Sequence, residues 1–149
     1  MSIKHKYIIT STESMKTLGE KMAENVLGKT LQKQAFVLSL QGNLGSGKTT
    51  FCQGFAKGLG IKEKILSPTF VLMKKFKIPK IKRYFYHFDC YRIKKADLKE
   101  LNFEQIIQNP INIVAIEWSE NIKYKGDLDL VFDFLEDNKR LVYCREKAR

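Results

Sequence analysis

The sequence predicts an α/β fold in three layers: a central mixed, partly parallel sheet flanked by helices and extended by antiparallel additions. Three observations predict it. The apolar run Ala35-Phe36-Val37-Leu38-Ser39-Leu40 leads into a glycine-rich loop and then into a stretch that reads as a helix. A second run, Ile111-Asn112-Ile113-Val114-Ala115-Ile116, is continuous enough to be a buried central strand. Alternating runs on either side of Pro79-Lys80 and of Asp137-Asn138 read as hairpins added to that core.

Taken in order, Lys6-Tyr7-Ile8-Ile9 reads as a short strand. Thr10-Ser11-Thr12-Glu13 has the S/T-x-x-E form of a capping box and predicts a helix start. Met15, Leu18, Met22 and Val26 follow at spacings of three and four, giving that helix one apolar face, with Gly28 as its stop. The helix packs on the core, and its start can also lie near a bound base, because the next element binds phosphate.

That element is Gly42-Asn43-Leu44-Gly45-Ser46-Gly47-Lys48-Thr49, of the form G-x-x-x-x-G-K-[ST]. Placed between a strand and a helix (50–59, closed by Gly60), it is a P-loop, and the fold is P-loop NTPase-like. Gly45 and Gly47 lack side chains and accept positive φ, so backbone N–H groups can curl around phosphate oxygens. The helix N-terminus aims its free N–H groups and positive dipole end at the same anion. Lys48 is expected to reach the β/γ-phosphates and the Thr49 hydroxyl to ligate Mg²⁺. Asn43, Leu44, Gly45, Ser46, Gly47, Lys48, Thr49 and Thr50 are thus the candidate phosphate-binding residues.

Pro68 fixes its own φ and biases Ser67 towards extended backbone, shaping the loop Ser67-Pro68-Thr69-Phe70. Thr69 reads either as part of an ordinary turn or as a hydroxyl sensing the γ-phosphate, as in nucleotide switches. Residues 71–78 and 81–88 then pair as a hairpin with a lysine-rich exposed face. The aromatic strand Tyr84-Phe85-Tyr86-His87-Phe88-Asp89 ends in a carboxylate, and His87 and Asp89 share a face. Asp89 can stand beside the Mg²⁺ water shell or cap the next turn.

Residues 96–107 are predicted to form one helix covering the sheet, ended by Asn109-Pro110. The strand 111–116 ends at Glu117-Trp118, which supplies a second candidate metal or water-positioning carboxylate where α/β folds bind ligands. Trp118 anchors the core or covers the nucleotide. Residues 128–135 alternate Leu128, Leu130, Phe132 and Phe134 with Asp129, Val131 and Asp133, the pattern of a half-exposed strand. Arg140 to Cys144 return as its partner after the turn.

The 149 residues suit one domain, residues 1–149. No apolar run approaches a membrane span, and Tyr7-Ile8-Ile9 is too short for a signal-peptide core, so a cytoplasmic location is expected. Cys52, Cys90 and Cys144 are scattered without a C-x-x-C, which fits reduced thiols, and His5 and His87 add no ligand cluster. The net charge of +11 favours polyanionic partners, so direct tRNA contact stays open, but it equally describes a lysine-rich solvated surface.

Four stretches together, residues 42–50, Ser67-Pro68-Thr69-Phe70, His87-Phe88-Asp89-Cys90-Tyr91-Arg92 and Ile116-Glu117-Trp118-Ser119, resemble in order and spacing the TsaE (YjeE) family of small bacterial P-loop ATPases. The resemblance spans nearly the whole chain. It implies an ATP- and Mg²⁺-dependent accessory role in threonylcarbamoylation of adenosine 37 in tRNAs reading codons that begin with A. The implied partners are TsaB and TsaD, with tRNA met indirectly. It further implies Thr49 and Glu117 as metal ligands, Asp89 close to the nucleotide and Thr69 in a switch-like segment. Glu13 and Arg140 are carried over as base-side residues. Lys48, Asp89, Glu117 and Thr69 form the implied catalytic set. Where the family usually has Asp, this chain has Asn43; an amide can hydrogen-bond a water but cannot act as a base. Two alternatives stay open: a small-molecule kinase, for which no clustered arginine lid is evident, and a nucleic-acid-binding protein with a regulatory P-loop.

Overall fold

The structure, a computed structural model, describes residues 3–66 and 72–147. The chain runs β1 (Ile3–Ile9), α1 (Thr12–Leu27), β2 (Phe36–Gly42), α2 (Lys48–Gly58), β3 (Met73–Lys77), β4 (Tyr84–Asp89), α3 (Lys95–Glu100), α4 (Phe103–Gln108), β5 (Asn112–Glu117), a 3-10 turn (Ser119–Asn121), β6 (Leu128–Phe134) and β7 (Arg140–Glu146). Among the described residues seven strands form one sheet in the order β1-β7-β6-β2-β5-β4-β3. β2 is central and parallel to both neighbours, β5 and β6, and β4 is parallel to β5. β3, β7 and β1 pair antiparallel on the two sides, as the sequence predicts for a mixed sheet with antiparallel additions.

Period-two alternation divides the core into two layers. Leu38, Leu40, Phe85, Ile113, Ala115 and Leu130 pack with Met15, Met22 and Val26 of α1 and Phe51 and Phe55 of α2. Val37, Tyr86, Phe88, Val114 and Ile116 pack on the other face with Leu98 of α3 and Phe103, Ile106 and Ile107 of α4. Helices α1 and α2 meet backbone to backbone: a Cβ on Gly54 would stand 2.1 Å from the Lys16 carbonyl oxygen, and one on Gly19 2.4 Å from that of Phe51. This contact fixes the start of α2, and with it the phosphate loop, against the start of α1.

Several expectations are corrected. The α1 capping box is Ser11 with Ser14, not Thr10 with Glu13. Each serine hydroxyl accepts the other residue's backbone N–H at 3.0 Å. The helix starts one residue later than the motif suggests, and a serine three positions on reaches back as well as a glutamate. The helix at 96–107 is two helices, separated at Leu101-Asn102, where Asn102 takes a left-handed φ of 58°. Asparagine tolerates that conformation, and the turn brings Phe103, Ile106 and Ile107 onto the sheet. In the hairpin, β4 begins only at Tyr84, so residues 81–83 belong to the connection. Lys74, Lys75 and Lys77 of β3 are exposed as expected.

Strand β6 is more buried than the half-exposed strand expected: Leu128 to Leu130 and Phe132 are buried, and Asp133 and Phe134 at its end are exposed. Asp129 on it is fully buried. Its Oδ1 accepts from the Ser39 hydroxyl at 2.9 Å and from Gln41 Nε2 at 3.1 Å, and Arg145 stands 3.7 Å from Oδ2. No helix among the described residues is long and apolar enough to cross a membrane.

Candidate functional site

The phosphate loop leaves the C-terminal end of β2 and enters α2 through Gly47, whose φ of 109° is available to glycine and strained for other residues. No side chain caps α2, so the N–H groups of its first turn can serve an anion. Lys48 opens the helix and is 4% exposed. Its ammonium folds back on the loop, donating to the carbonyls of Gly42 and Asn43 at 2.5 and 3.1 Å. Burial lowers its pKa from the ordinary 10.5, and the carboxylates of Glu117, Glu120 and Asp89 pull it partly back up. Glu120 also anchors the loop's first residue, with Oε2 accepting the Gly42 N–H at 3.1 Å.

Thr49 brings the loop to the neighbouring strands. Its hydroxyl donates to Glu117 Oε1 at 2.8 Å. Glu117 ends β5 and is paired in register with Asp89 at the end of β4, so both carboxylates stand at the same rim of the sheet. Asp89 Oδ1 accepts the Tyr91 N–H at 3.1 Å and thereby caps the turn after β4. The second oxygen of Glu117, Oε2, lies 2.5 Å from His87 Nε2. Cys52, His87 and Glu117 offer atoms within 4.8 Å of one another, all three residues buried. His87 therefore does belong to a cluster, contrary to the reading from spacing alone; β4, β5 and α2 assemble it in space. Burial pushes the Cys52 thiol well above its usual pKa, and Glu117 and Asp89 add to the effect.

On the α1 side of the loop is a hollow of about 260 Å³ lined by Ser11, Thr12, Met15, Thr50, Asn138 and Arg140, among others. Arg140 stacks over Phe134 at 4.6 Å and its Nη2 reaches the Gly45 carbonyl at 3.4 Å. Arg140 is thus beside the loop. Glu13, the other residue carried over, lines a different hollow, with Lys16, Gln53 and Lys57. Thr69 lies outside the described residues.

Lys48, Thr49, Glu117 and Asp89 are therefore brought together, with Asn43, Gly45, Ser46, Gly47 and Thr50 around them and Leu44 projecting at 75% exposure. Sequence reasoning missed Glu120, Ser11, Thr12 and Asn138 at the rim and His87 as a partner of Glu117. For His87 a signal existed, its shared face with Asp89. The arrangement offers an ammonium, a helix N-terminus and two hard oxygens 2.8 Å apart, a set suited to a polyphosphate carrying a small divalent cation.

Known proteins share this architecture. The tRNA threonylcarbamoyladenosine biosynthesis protein TsaE of Rickettsia prowazekii is 36% identical over 140 residues, covering 91% of this chain and 90% of that protein. The protein of the same name from Aquifex aeolicus is 35% identical over 149 residues, covering 99% and 100%. That of Nostoc sp. is 45% identical over 103 residues, 67% of this chain and 62% of its own length. The crystal structure of Bacillus subtilis YdiB superposes with a TM-score of 0.74 at 26% identity, over 99% of this chain and 89% of that one. A family model described as "Threonylcarbamoyl adenosine biosynthesis protein TsaE" matches residues 9–142, and the chain belongs to the TsaE family.

Proposed function

We propose that this protein binds ATP with Mg²⁺ and hydrolyses it slowly, in support of threonylcarbamoylation of adenosine 37 in tRNAs reading codons that begin with A. It acts in the cytoplasm with the TsaB–TsaD pair, in which TsaD carries out the transfer, and it meets tRNA through that assembly. The names of its relatives support the pathway. The nucleotide reading is carried by one observation: Thr49 Oγ1 lies 2.8 Å from Glu117 Oε1, beside the buried Lys48. A hydroxyl and a carboxylate oxygen are the hard donors that Mg²⁺ takes, so Thr49 would hold the ion beside the phosphates. Glu117 would hold it directly or through water.

The bound ion would neutralise charge developing on the phosphate oxygens. The chain's own residues do the rest. Lys48 exchanges the carbonyls of Gly42 and Asn43 for phosphate oxygens, and the first-turn N–H groups of α2 hold the same anion. Arg140 and the start of α1 border the hollow that takes the base. Asp89 orients a water, whose oxygen bonds to the γ-phosphorus as the bond to the β,γ-bridging oxygen breaks. ADP leaves with that electron pair, and the water's proton passes to a phosphate oxygen. Asn43 can orient the water by hydrogen bonding but takes no proton, which fits a slow unaided rate that partner binding raises.

The test is ATP hydrolysis by the purified chain with and without TsaB and TsaD, read beside tRNA modification in a depleted strain. Wild-type turnover by Lys48→Ala would remove the loop from the mechanism. ATP consumption that requires a small-molecule acceptor would make the protein a kinase instead.

A further inference from the structure

His87 is a buried titratable group to which the mechanism above gives no task. It is 2% exposed, on β4, opposite Ala115 of β5. Its Nε2 stands 2.5 Å from Glu117 Oε2. With Glu117 ionised, as a metal-holding carboxylate must be, it only accepts, so Nε2 carries the hydrogen and donates it. Glu117 is thus held at both oxygens, by β4 through Oε2 and by α2 through the Thr49 hydroxyl at Oε1.

We propose that His87 is a positioning residue for Glu117: by engaging Oε2 it leaves Oε1 as the oxygen presented at Thr49 and fixes its direction. The inference rests on the MgATP reading above. Partners of this kind, one bond removed from a ligand, set the orientation of metal-binding carboxylates and histidines generally. The geometry separates this role from a second one. Cys52, His87 and Glu117 offer the sulfur, nitrogen and oxygen donors of a zinc site. Two tetrahedral zinc ligands with bonds near 2.05 Å would stand about 3.3 Å apart, whereas His87 and Glu117 are at hydrogen-bonding distance. Cys52, fully buried, packs beside this pair.

The experiment measures ATP affinity by calorimetry across a Mg²⁺ series and in EDTA, for wild type, His87→Leu and His87→Gln. Glutamine places an amide N–H near the position of Nε2; leucine places none. His87→Leu is expected to raise the half-saturating Mg²⁺ concentration about tenfold or more, with His87→Gln within about threefold of wild type. Affinity for metal-free ATP is expected to stay the same in all three. If His87→Leu does not fold, His87→Asn, whose amide stops short of Oε2, takes its place. An unchanged Mg²⁺ requirement in the leucine or asparagine variant would overturn the proposal. So would an equal loss of metal-free and Mg²⁺-dependent binding, which marks a merely structural role. Stoichiometric zinc retained by wild type after EDTA dialysis and lost in Cys52→Ser would overturn it by making His87 a metal ligand. A wild type that binds no ATP at any Mg²⁺ concentration would overturn the proposed function itself, not this contact alone.

Discussion

Lys48 Nζ lies 4.0 Å from the centroid of the Trp118 ring. Trp118 follows Glu117 directly, takes a left-handed φ of 59° and leans on Tyr91, with ring centroids 4.8 Å apart. A partly desolvated cation–π contact of this kind is worth about 1–2 kcal/mol. Together with the Gly42 and Asn43 carbonyls it holds the ammonium in place, and the proposed phosphate would have to displace these contacts.

Nucleotide binding is therefore expected to change the fluorescence of Trp118, the chain's single tryptophan. Titration of ATP and Mg²⁺ into the wild type should give a saturable change. The same titration of Lys48→Ala should give none, with kcat/KM down by about 100-fold or more, close to 3 kcal/mol. A full fluorescence change in Lys48→Ala would mean that the indole senses something other than release of the ammonium.

The lowered Lys48 pKa sets an alkaline limit on binding. Phosphate needs the ammonium, so ATP affinity is expected to fall as pH rises through the free protein's Lys48 pKa, beginning below 10.5. The fall should approach about tenfold per pH unit. Stability moves the other way: between the lowered value and 10.5 the unfolded chain binds more protons at this group, so its contribution to stability rises with pH. Lys48→Arg stays charged throughout and should remove the alkaline fall in affinity. Affinities of both proteins between pH 7 and 10.5 check this; an equal fall in both would place the titrating group elsewhere.

The loop was legible because its chemistry is local: backbone N–H groups can wrap a phosphate only where side chains are missing, and Gly45 and Gly47 advertise that. Strands β2 and β5 were legible because interior parallel strands are apolar on both faces. The break at Asn102 was not, since good helix formers such as Leu98, Leu101 and Glu104 flank it on both sides. The hollow beside the loop joins the α1 start to the β6–β7 turn, elements at opposite ends of the chain, and no local pattern announces that neighbourhood. The His87–Glu117 contact depends on β4 pairing with β5 in the register that sets Asp89 opposite Glu117. Alternation gave the face; only topology gave the neighbour.

The three cysteines are free and buried. Burial first, then nearby carboxylates, pushes the Cys90 thiol up to about 12 and that of Cys144 to about 11. The thiolate is the reactive form, so a thiol two pH units above its usual value reacts about 100-fold more slowly at pH 8. All three are expected to resist iodoacetamide in the native protein and to react together in guanidinium, as counted by mass spectrometry. Rapid native labelling of Cys52 would contradict the closed packing around Glu117.

Gly54→Ala tests the contact that positions the phosphate loop. Its new methyl would meet the Lys16 carbonyl oxygen at 2.1 Å and the Lys16 carbonyl carbon at 2.6 Å. Both are backbone atoms, so a whole helix must shift. Overpacking of this kind costs about 3 kcal/mol, of which the better helix propensity of alanine returns about 1 kcal/mol. A net loss near 2 kcal/mol is expected in urea denaturation. Gly28→Ala is the control: that residue has φ −77° and its added methyl would come no closer than 3.6 Å to the Glu24 and Asn25 carbonyl oxygens, so stability should be unchanged or slightly raised. Because Lys48 and Thr49 open the displaced helix, kcat/KM of Gly54→Ala should fall further than its folded fraction accounts for. A Gly54→Ala protein as stable and active as wild type would mean that α1 and α2 stand farther apart, and the hollow walled by Ser11, Met15 and Thr50 would lose its shape as a base pocket.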